Sequence, residues 1–370
     1  MKIVYLYPAL AIWGGIERIL VDKMNYLVRQ YGYEVWMITS DQGQHAIPYE
    51  IDDRIHFKDL GIRFHSRYQY HKLLRPWIYS KLSRRYHHKL QQLLGEISPD
   101  VIVCTTTQNV RPLLKTKGRT PLVVESHVNF THPDTWTQRL RTYFNNLWIG
   151  RAEAVVTLTN GDAEDWHRVS RHVHVIPNIV HLNDSNRYSD CTSKRVLFVG
   201  RFEEQKSIGD LFSIWKMVHQ KLPDWKLDLY GEGFLWEYFK KEADRLSINI
   251  EVHRPTDHIM DVYRSSSILV LTSLYEPFGL VIPEAMSCGL PIVTFDSPHG
   301  PATILTDREE GFLIPNRNQQ LFAERLIMLM GDLDLCQEMG MKAIVSSQRF
   351  TAKEIMPMWK QLFEQLSSFS

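Results

Sequence analysis

The sequence predicts a mixed α/β protein built from two doubly wound, Rossmann-like domains, each a parallel sheet with helices on both faces. Three observations carry that prediction. Short apolar runs alternate with amphipathic stretches along almost the whole chain, which is the pattern of strand–helix–strand crossovers. The alternation lapses once, between residues 178 and 194, into Asn, Asp, Ser and His with little apolar content. The chain has 370 residues, more than the roughly 100–200 that one core usually organises.

In order along the chain, Ile3–Leu6 reads as a buried strand that runs through Gly14-Gly15 into a helix carrying Ile19, Leu20, Met24 and Leu27. Further strands are expected at Val35–Thr39, Val101–Cys104, Leu122–Glu125, Ala154–Leu158 and Val173–Ile176, which ends before Pro177. After the lapse they restart at Arg195–Gly200, Leu227–Tyr230, Ile250–His253, Ile268–Leu271 and Pro291–Phe295. The first domain is therefore placed at 1–180, a linker at 181–194 and the second domain at 195–350. An amphipathic helix with Ile355, Trp359 and Leu362 fills 351–370 and could cross back onto the first domain. Ligands of open parallel sheets bind beyond the carboxyl ends of the strands, so a two-domain version is expected to use the cleft between its two sheets.

Composition narrows the class. With 44% hydrophobic and 23% charged residues the chain is neither disordered nor fibrous. Lys+Arg 43 against Asp+Glu 42 leaves a formal charge of +1, so no bulk electrostatic case for nucleic acid exists. Cys104, Cys191, Cys288 and Cys336 are far apart and follow no zinc-finger spacing, which fits a reducing compartment. No apolar run reaches the roughly 18 residues of a spanning helix. Ala9-Leu10-Ala11 mimics a signal-peptidase site, but Tyr5, Tyr7 and Pro8 interrupt the short apolar stretch before it. A cytoplasmic protein is expected.

The most informative segment is 267–301, SILVLTSLYEPFGLVIPEAMSCGLPIVTFDSPHGP. A strand ends at Leu271, a loop delivers Glu276, Phe278-Gly279-Leu280 opens a helix, and Glu284 follows one turn inside it. Gly279 lets a ligand approach the backbone closely. The free amides of a helix start favour an anion, above all phosphate. Two carboxylates beside a phosphate site can accept from neutral donors, and sugar hydroxyls are the obvious ones. Together they point to a ligand that is both phosphorylated and polyhydroxylated.

Glu276 and Glu284 form an E-x7-E element within EPFGLVIPEAMSCGLPIV, which resembles the signature of the family four retaining glycosyltransferases, enzymes of GT-B fold. The resemblance extends through GGIER (Gly14–Arg18), VIPN (Val175–Asn178), VGRFEEQKSIGDL (Val199–Leu211), LYGEGF (Leu229–Phe234) and EGFLIP (Glu310–Pro315). It implies that Glu276 lies near the donor sugar hydroxyls and that Glu284 binds the ribose of the nucleotide. Arg201 and Lys206 then face the diphosphate, where two fixed cations would stabilise the charge that develops as the glycosidic bond breaks. The donor-binding set implied on this basis also includes Phe278, Gly279 and Leu280, with Gly14 and Gly15 near the donor phosphates or the acceptor. Gly231 either faces phosphate or only shapes a turn.

His127 in VVESHVNF follows the fourth strand of that sequence reading, where a side chain reaches the ligand side of an α/β sheet. Family members often carry a histidine there that contacts the donor sugar near the reacting carbon. Ser126 and Asn129 are candidates for acceptor hydroxyls. Adjacent glycines at 14 and 15 do not make a dinucleotide fingerprint, so Asp41 is not read as a cofactor's ribose acid. Asp332-Leu333-Asp334 has the Asp-x-Asp form of metal-dependent transferases, yet it falls between helices at Leu321–Met330 and Leu335–Met341. No metal and no cofactor are expected, only a nucleoside-diphosphate-sugar donor. Glu251–His258 lies near the base without choosing between uridine and guanosine, and a UDP-sugar is taken ahead of a GDP-sugar.

Residues 62–95 carry eight Lys/Arg and no Asp or Glu, interleaved with Phe64, Tyr68, Tyr70, Trp77, Tyr79 and Tyr86. Such a stretch suits the interface of an anionic membrane. The plainer alternative is a solvated helix packed through Leu73, Leu74, Ile78 and Leu82. The first reading makes the protein peripheral on the cytoplasmic face of the membrane and the acceptor a lipid-linked glycan, as in enzymes of surface-polysaccharide biosynthesis. Two rivals stay open on sequence: a nucleotide-sugar epimerase or hydrolase of the same fold, and a non-catalytic nucleotide-sugar-binding protein.

Overall fold

The computed structural model describes residues 1–12, 14–105, 110–127 and 136–368, with the side chains of 136–141 left aside. Asn129 lies outside the described residues. The chain divides into two compact units, Met1–Ile179 together with Ile355–Ser370, and Val180–Glu354.

In the first unit the elements run β1 (Lys2–Tyr7), α1 (Gly15–Tyr31), β2 (Glu34–Thr39), β3 (His56–Asp59), α2 (Arg75–Ile97), β4 (Val101–Cys104), α3 (Val110–Thr116), β5 (Leu122–Glu125), α4 (Trp136–Ile149), β6 (Ala154–Thr157), α5 (Asn160–Trp166) and β7 (Val173–Val175). The strands form one parallel sheet in the order β3-β2-β1-β4-β5-β6-β7. Its central strands read as unbroken apolar runs because both faces are covered: Val101–Cys104 and Ala154–Thr157 are buried at every position. β3, HFKD, has no apolar run because it is an exposed edge. Only its pairing with β2 and the stacking of His56 on Trp36 reveal it as a strand.

The second unit runs β8 (Arg195–Val199), α6 (Ile208–Lys221), β9 (Lys226–Tyr230), α7 (Trp236–Leu246), β10 (Ile250–His253), α8 (Ile259–Arg264), β11 (Ile268–Leu271), α9 (Val281–Ser287), β12 (Ile292–Phe295), α10 (Pro301–Ile304), β13 (Gly311–Ile314), α11 (Gln319–Gly331) and α12 (Leu333–Ser347). Its parallel sheet has the order β10-β9-β8-β11-β12-β13. Winding reverses between β8 and β11, as it does between β1 and β4 in the first unit. β13 was recognisable in the sequence only as a motif, EGFLIP, and pairs with β12 through Ile292–Phe295.

The polar segment 181–194 does not hang free. Asn183 N–H donates to Ser287 Oγ (2.9 Å) and Ser189 N–H to Cys288 O (2.8 Å), which lays it along α9 of the second unit. Its hydrophilic composition serves these bonds as well as solvent. The last helix, α13 (Ala352–Ser367), buries Ile355, Met356, Trp359, Leu362 and Phe363 at helical spacing. All four cysteines are buried and unbridged. Among the described residues no helix is long and apolar enough to cross a membrane.

Candidate functional site

In the second unit the crevice of interest lies beyond the carboxyl ends of β8 and β11, where the strand order reverses. The loops leaving those two strands are fastened together. Leu274 N–H donates to Gln205 O (2.8 Å), the Gln205 side-chain amide to Tyr275 O (3.0 Å), and Thr272 Oγ1 to Lys206 O (3.0 Å). Lys206 and Glu276, seventy positions apart, are thereby brought to 2.5 Å between Nζ and Oε2. Ser273 Oγ donates to the same oxygen at 3.1 Å. Lys206 and Glu276 are both largely buried, so the pair is ordered and poorly screened. An ammonium has three donors and a carboxylate several acceptor positions. With the bonds above on Nζ and Oε2, two donors of Lys206 and the Oε1 of Glu276 have no further hydrogen bond among the described residues.

Arg201 behaves differently. It leaves the same loop, but its side chain is 67% exposed and its Nη1 lies 3.1 Å from Glu203 Oε1. An exposed ion pair of this kind is weak, so a phosphate can exchange for Glu203 at little cost. The structure pairs Lys206 with Glu276 and Arg201 with Glu203.

Around this pair the backbone is shaped by glycines. Gly231, at φ +152°, follows β9, and a Cβ there would sit 1.9 Å from Gly200 O. Its packing against the loop after β8 accounts for the glycine whether or not phosphate approaches it. Gly279, at φ +90°, would place a Cβ 3.0 Å from Glu276 Cγ, which keeps the Glu276 loop tight before α9. Phe278 is buried with its ring edge-on to Phe350 at 5.5 Å. Leu280 caps α9, a helix of seven residues. So short a helix offers its unpaired first-turn amides more than a developed macrodipole. Pro283 is tolerated because it lies in that first turn. Glu284 follows, partly buried, and its Oε2 accepts from Tyr263 Oη at 3.0 Å. Thr303 Oγ1 donates to His299 O (2.9 Å).

In the first unit Gly14 and Gly15 stand at the start of α1, and Gly14 O accepts from Tyr49 Oη at 2.8 Å. Glu17 already places a carboxylate against Gly14 and accepts from Tyr7 Oη at 2.8 Å. His127 is buried, and its Nε2 lies 3.2 Å from Glu125 Oε1. Glu125 is in turn ion-paired with Lys23, and both side chains are 1% exposed. Burial pushes the Glu125 carboxyl up, but Lys23 and His127 beside it outweigh that and hold it down at about 2. Burial pushes the Lys23 amine down, against the pull of Glu125. The Lys23 ammonium in direct contact with the carboxylate, both shut away from solvent, makes this an ion pair.

Sequence reasoning missed Lys23, Glu125, Ser273 and Tyr263. Two of them left a signal. Lys23 interrupts the apolar stripe of α1 between Leu20 and Met24, and Glu125 is two residues before His127, on the same side of the chain if it stays extended. Ser273 and Tyr263 are ordinary residues until the fold places them.

Among the described residues Asp228, Glu251 and His253 lie close enough to share a cation. Arg195 (2.9 Å from Asp228) and Lys226 (2.6 Å from Glu251) already neutralise them, so the cluster is an ion-pair network. Asp332 accepts from Leu335 N–H and caps α12, a helix-start role.

Two Rossmann-like domains, one with a buried Lys206–Glu276 ion pair at its switch point, define a protein of GT-B architecture. The chain belongs to the glycosyltransferases: residues 13–184 match the family described as Glycosyltransferase Family 4, and residues 185–345 the one described as Glycosyl transferases group 1. It is 27% identical over 373 residues to the amylovoran biosynthesis glycosyltransferase AmsD of Erwinia amylovora, covering 98% of this chain and 99% of that one. It is 22% identical to a Campylobacter jejuni alpha-1,4-N-acetyl-D-galactosaminyltransferase whose name gives a diNAcBac-PP-undecaprenol-linked acceptor, covering 100% and 99% of the two chains. Among solved structures, a TarM mutant of S. aureus in complex with Fondaparinux, alpha-GlcNAc-glycerol and UDP superposes with a TM-score of 0.80 at 16% identity, over 98% of this chain and 99% of that one. That last likeness is one of fold.

Proposed function

We propose that the protein is a retaining, metal-independent glycosyltransferase of surface-polysaccharide biosynthesis. It moves a sugar from a nucleoside diphosphate, UDP ahead of GDP, to a hydroxyl of a lipid-linked glycan. The observation that carries this reading is the Lys206–Glu276 pair at the switch point of the second sheet. Relatives support the rest: one is named for amylovoran biosynthesis, one for a polyprenyl-diphosphate-linked acceptor, and a structural neighbour holds UDP.

The chemistry follows from the residues. As the glycosidic bond lengthens, negative charge collects on the leaving diphosphate, and Lys206, Arg201 and the amides before α9 are the groups that stabilise it. Glu276 orients Lys206 and turns its second oxygen to a sugar hydroxyl, while Glu284 holds the ribose. In a retaining transfer the leaving phosphate takes the proton of the incoming hydroxyl on the same face, so no separate protein base is required. The first domain serves the acceptor side, with His127 meeting the donor sugar near the reacting carbon and the loop at Gly14-Gly15 near the donor phosphates or the acceptor.

The basic stretch supports a membrane-bound acceptor. Leu73 is 83% exposed, Leu74 51% and Trp77 64%, so the packed-helix alternative fails at two of its four leucine and isoleucine contacts. These apolar side chains stand among Lys72, Lys81, Arg84 and Arg85, all exposed. Flotation with anionic and neutral vesicles tests this part: equal recovery on both removes the electrostatic component.

The activity itself is tested by incubating the full chain with a panel of UDP- and GDP-sugars and a polyprenyl-diphosphate-linked glycan. Sugar on the lipid supports the proposal. Donor breakdown or epimerisation without transfer, or binding without turnover, replaces it with one of the two rivals.

A further inference from the structure

Lys23 is an unusual residue to find where it is. It lies midway along α1 on the face turned to the sheet, fully buried, and its ammonium is ion-paired with Glu125 at the end of β5. The same ammonium lies 4.4 Å from the ring centroid of Trp359 on α13 and 5.9 Å from that of Tyr5 on β1. Residues 5, 23, 125 and 359 thus converge on one point inside the first unit. Glu125 Oε1 faces the Lys23 ammonium on one side and His127 Nε2, at 3.2 Å, on the other. Neither ring nitrogen of His127 has a well-formed hydrogen bond among the described residues, and Glu125 Oε2 has none.

A buried ion pair is a poor way to stabilise a core, since apolar residues of the same volume do as well or better. Removing one member, by contrast, strands a buried charge. An ion pair retained under a histidine at the carboxyl end of a parallel strand therefore asks for a reason other than stability. The geometry supplies one. A carboxylate kept ionised by Lys23 presents a fixed acceptor to one ring nitrogen, which sets the tautomer and the plane of the imidazole. The face of Trp359 stabilises the ammonium without offering it a competing acceptor.

We propose that Lys23 and Trp359 are positioning residues for His127, acting through Glu125, and that α13 is by this route part of the site. The proposal rests on the reading of His127 as a site residue. In it, a small turn of the ring brings Nε2–H, now 3.2 Å from Glu125 Oε1 but not directed at it, into line with that oxygen and leaves Nδ1 as the nitrogen that meets a sugar hydroxyl.

The test uses the full chain labelled with 15N in its histidine rings, with the His127 signals identified by their loss in His127→Gln. The wild-type protein is expected to show His127 as a single Nε2–H tautomer. Lys23→Met and Trp359→Leu are each expected to shift it toward a tautomer mixture. Because Lys23→Met strands Glu125 and can unfold the unit, the Lys23→Met, Glu125→Met double variant serves as the folded control, and it too is expected to lose the single tautomer. In transfer assays the variants should lower kcat about 100-fold, with the dissociation constant for UDP, whose proposed contacts lie in the second unit, unchanged. A His127 spectrum that is the same in Trp359→Leu and in the double variant as in wild type overturns the proposal. So does a changed spectrum with unaltered transfer. If the wild-type protein transfers no sugar, the function proposed above fails, while the spectra still decide whether these residues hold the ring.

Discussion

Glu276 holds Lys206 and Ser273 on one carboxylate oxygen, so its charge does two things at once. Glu276→Gln keeps the volume and removes the charge. Transfer should fall by about 100- to 1000-fold, as for other losses of a preorganised charge-stabilising contact, and the melting temperature should fall too, because Lys206 is left buried without its counter-charge. Glu284 has a narrower task. Its carboxylate is oriented by Tyr263 Oη, and in the proposed reading it holds the ribose, so Glu284→Ala should weaken UDP binding by about 1–2 kcal/mol, roughly tenfold, in a calorimetric titration with UDP. Glu125 makes a prediction about pH. Its carboxyl, ordinarily near 4.5, is held at about 2 in the folded protein. A depressed carboxyl contributes stability that is complete above its unfolded value and is lost as pH falls toward the folded one. Denaturant midpoints should therefore decline more steeply between pH 4.5 and 2 in the wild type than in the Lys23→Met, Glu125→Met double variant.

At the level of the element, the site depends on how closely two loops and one turn lie together. The turn after β9 touches the loop after β8 backbone to backbone: Gly231 meets Gly200 O, and Phe202 N–H donates to Glu232 O at 2.8 Å. Gly231→Ala adds a methyl group into a carbonyl and strains a φ of +152°. It should cost about 1–3 kcal/mol in thermal denaturation and, by displacing the loop that carries Arg201 and Lys206, depress transfer as well. A variant that unfolds at the wild-type temperature and transfers normally would show that this packing is dispensable. The elements themselves were readable wherever burial on both faces made a strand a continuous apolar run. β3 was not, because an exposed edge strand needs no apolar side chains and HFKD is defined only by its partner.

For the molecule as a whole, the return of the chain's end to the first unit matters most. Ile355, Met356, Trp359, Leu362 and Phe363 are all buried. At about 1.5–3 kcal/mol for each large apolar side chain, their combined burial is comparable with the entire stability of an ordinary domain, about 5–15 kcal/mol. Truncation before Ile355 should therefore unfold the first unit and leave the second folded, which shows in calorimetry as the loss of one transition with retained binding of UDP. If both transitions persist, α13 contributes little to the unit it packs on.

What was legible in the amino-acid order was whatever depends on local pattern. The alternation of apolar runs and amphipathic stretches defined two parallel sheets. The E-x7-E spacing with Pro-Phe-Gly inside it marked Glu276 and Glu284, and the strand-end motif marked the loop that carries Arg201 and Lys206. What remained hidden depends on residues far apart in the chain. Lys206 meets Glu276 only because β8 and β11 are neighbours at the reversal of the sheet, and Lys23 meets Glu125 and Trp359 only because α1, β5 and α13 share one core. Periodicity reports which side of an element is buried, but not which charged group waits there, and that pairing is set by packing in three dimensions.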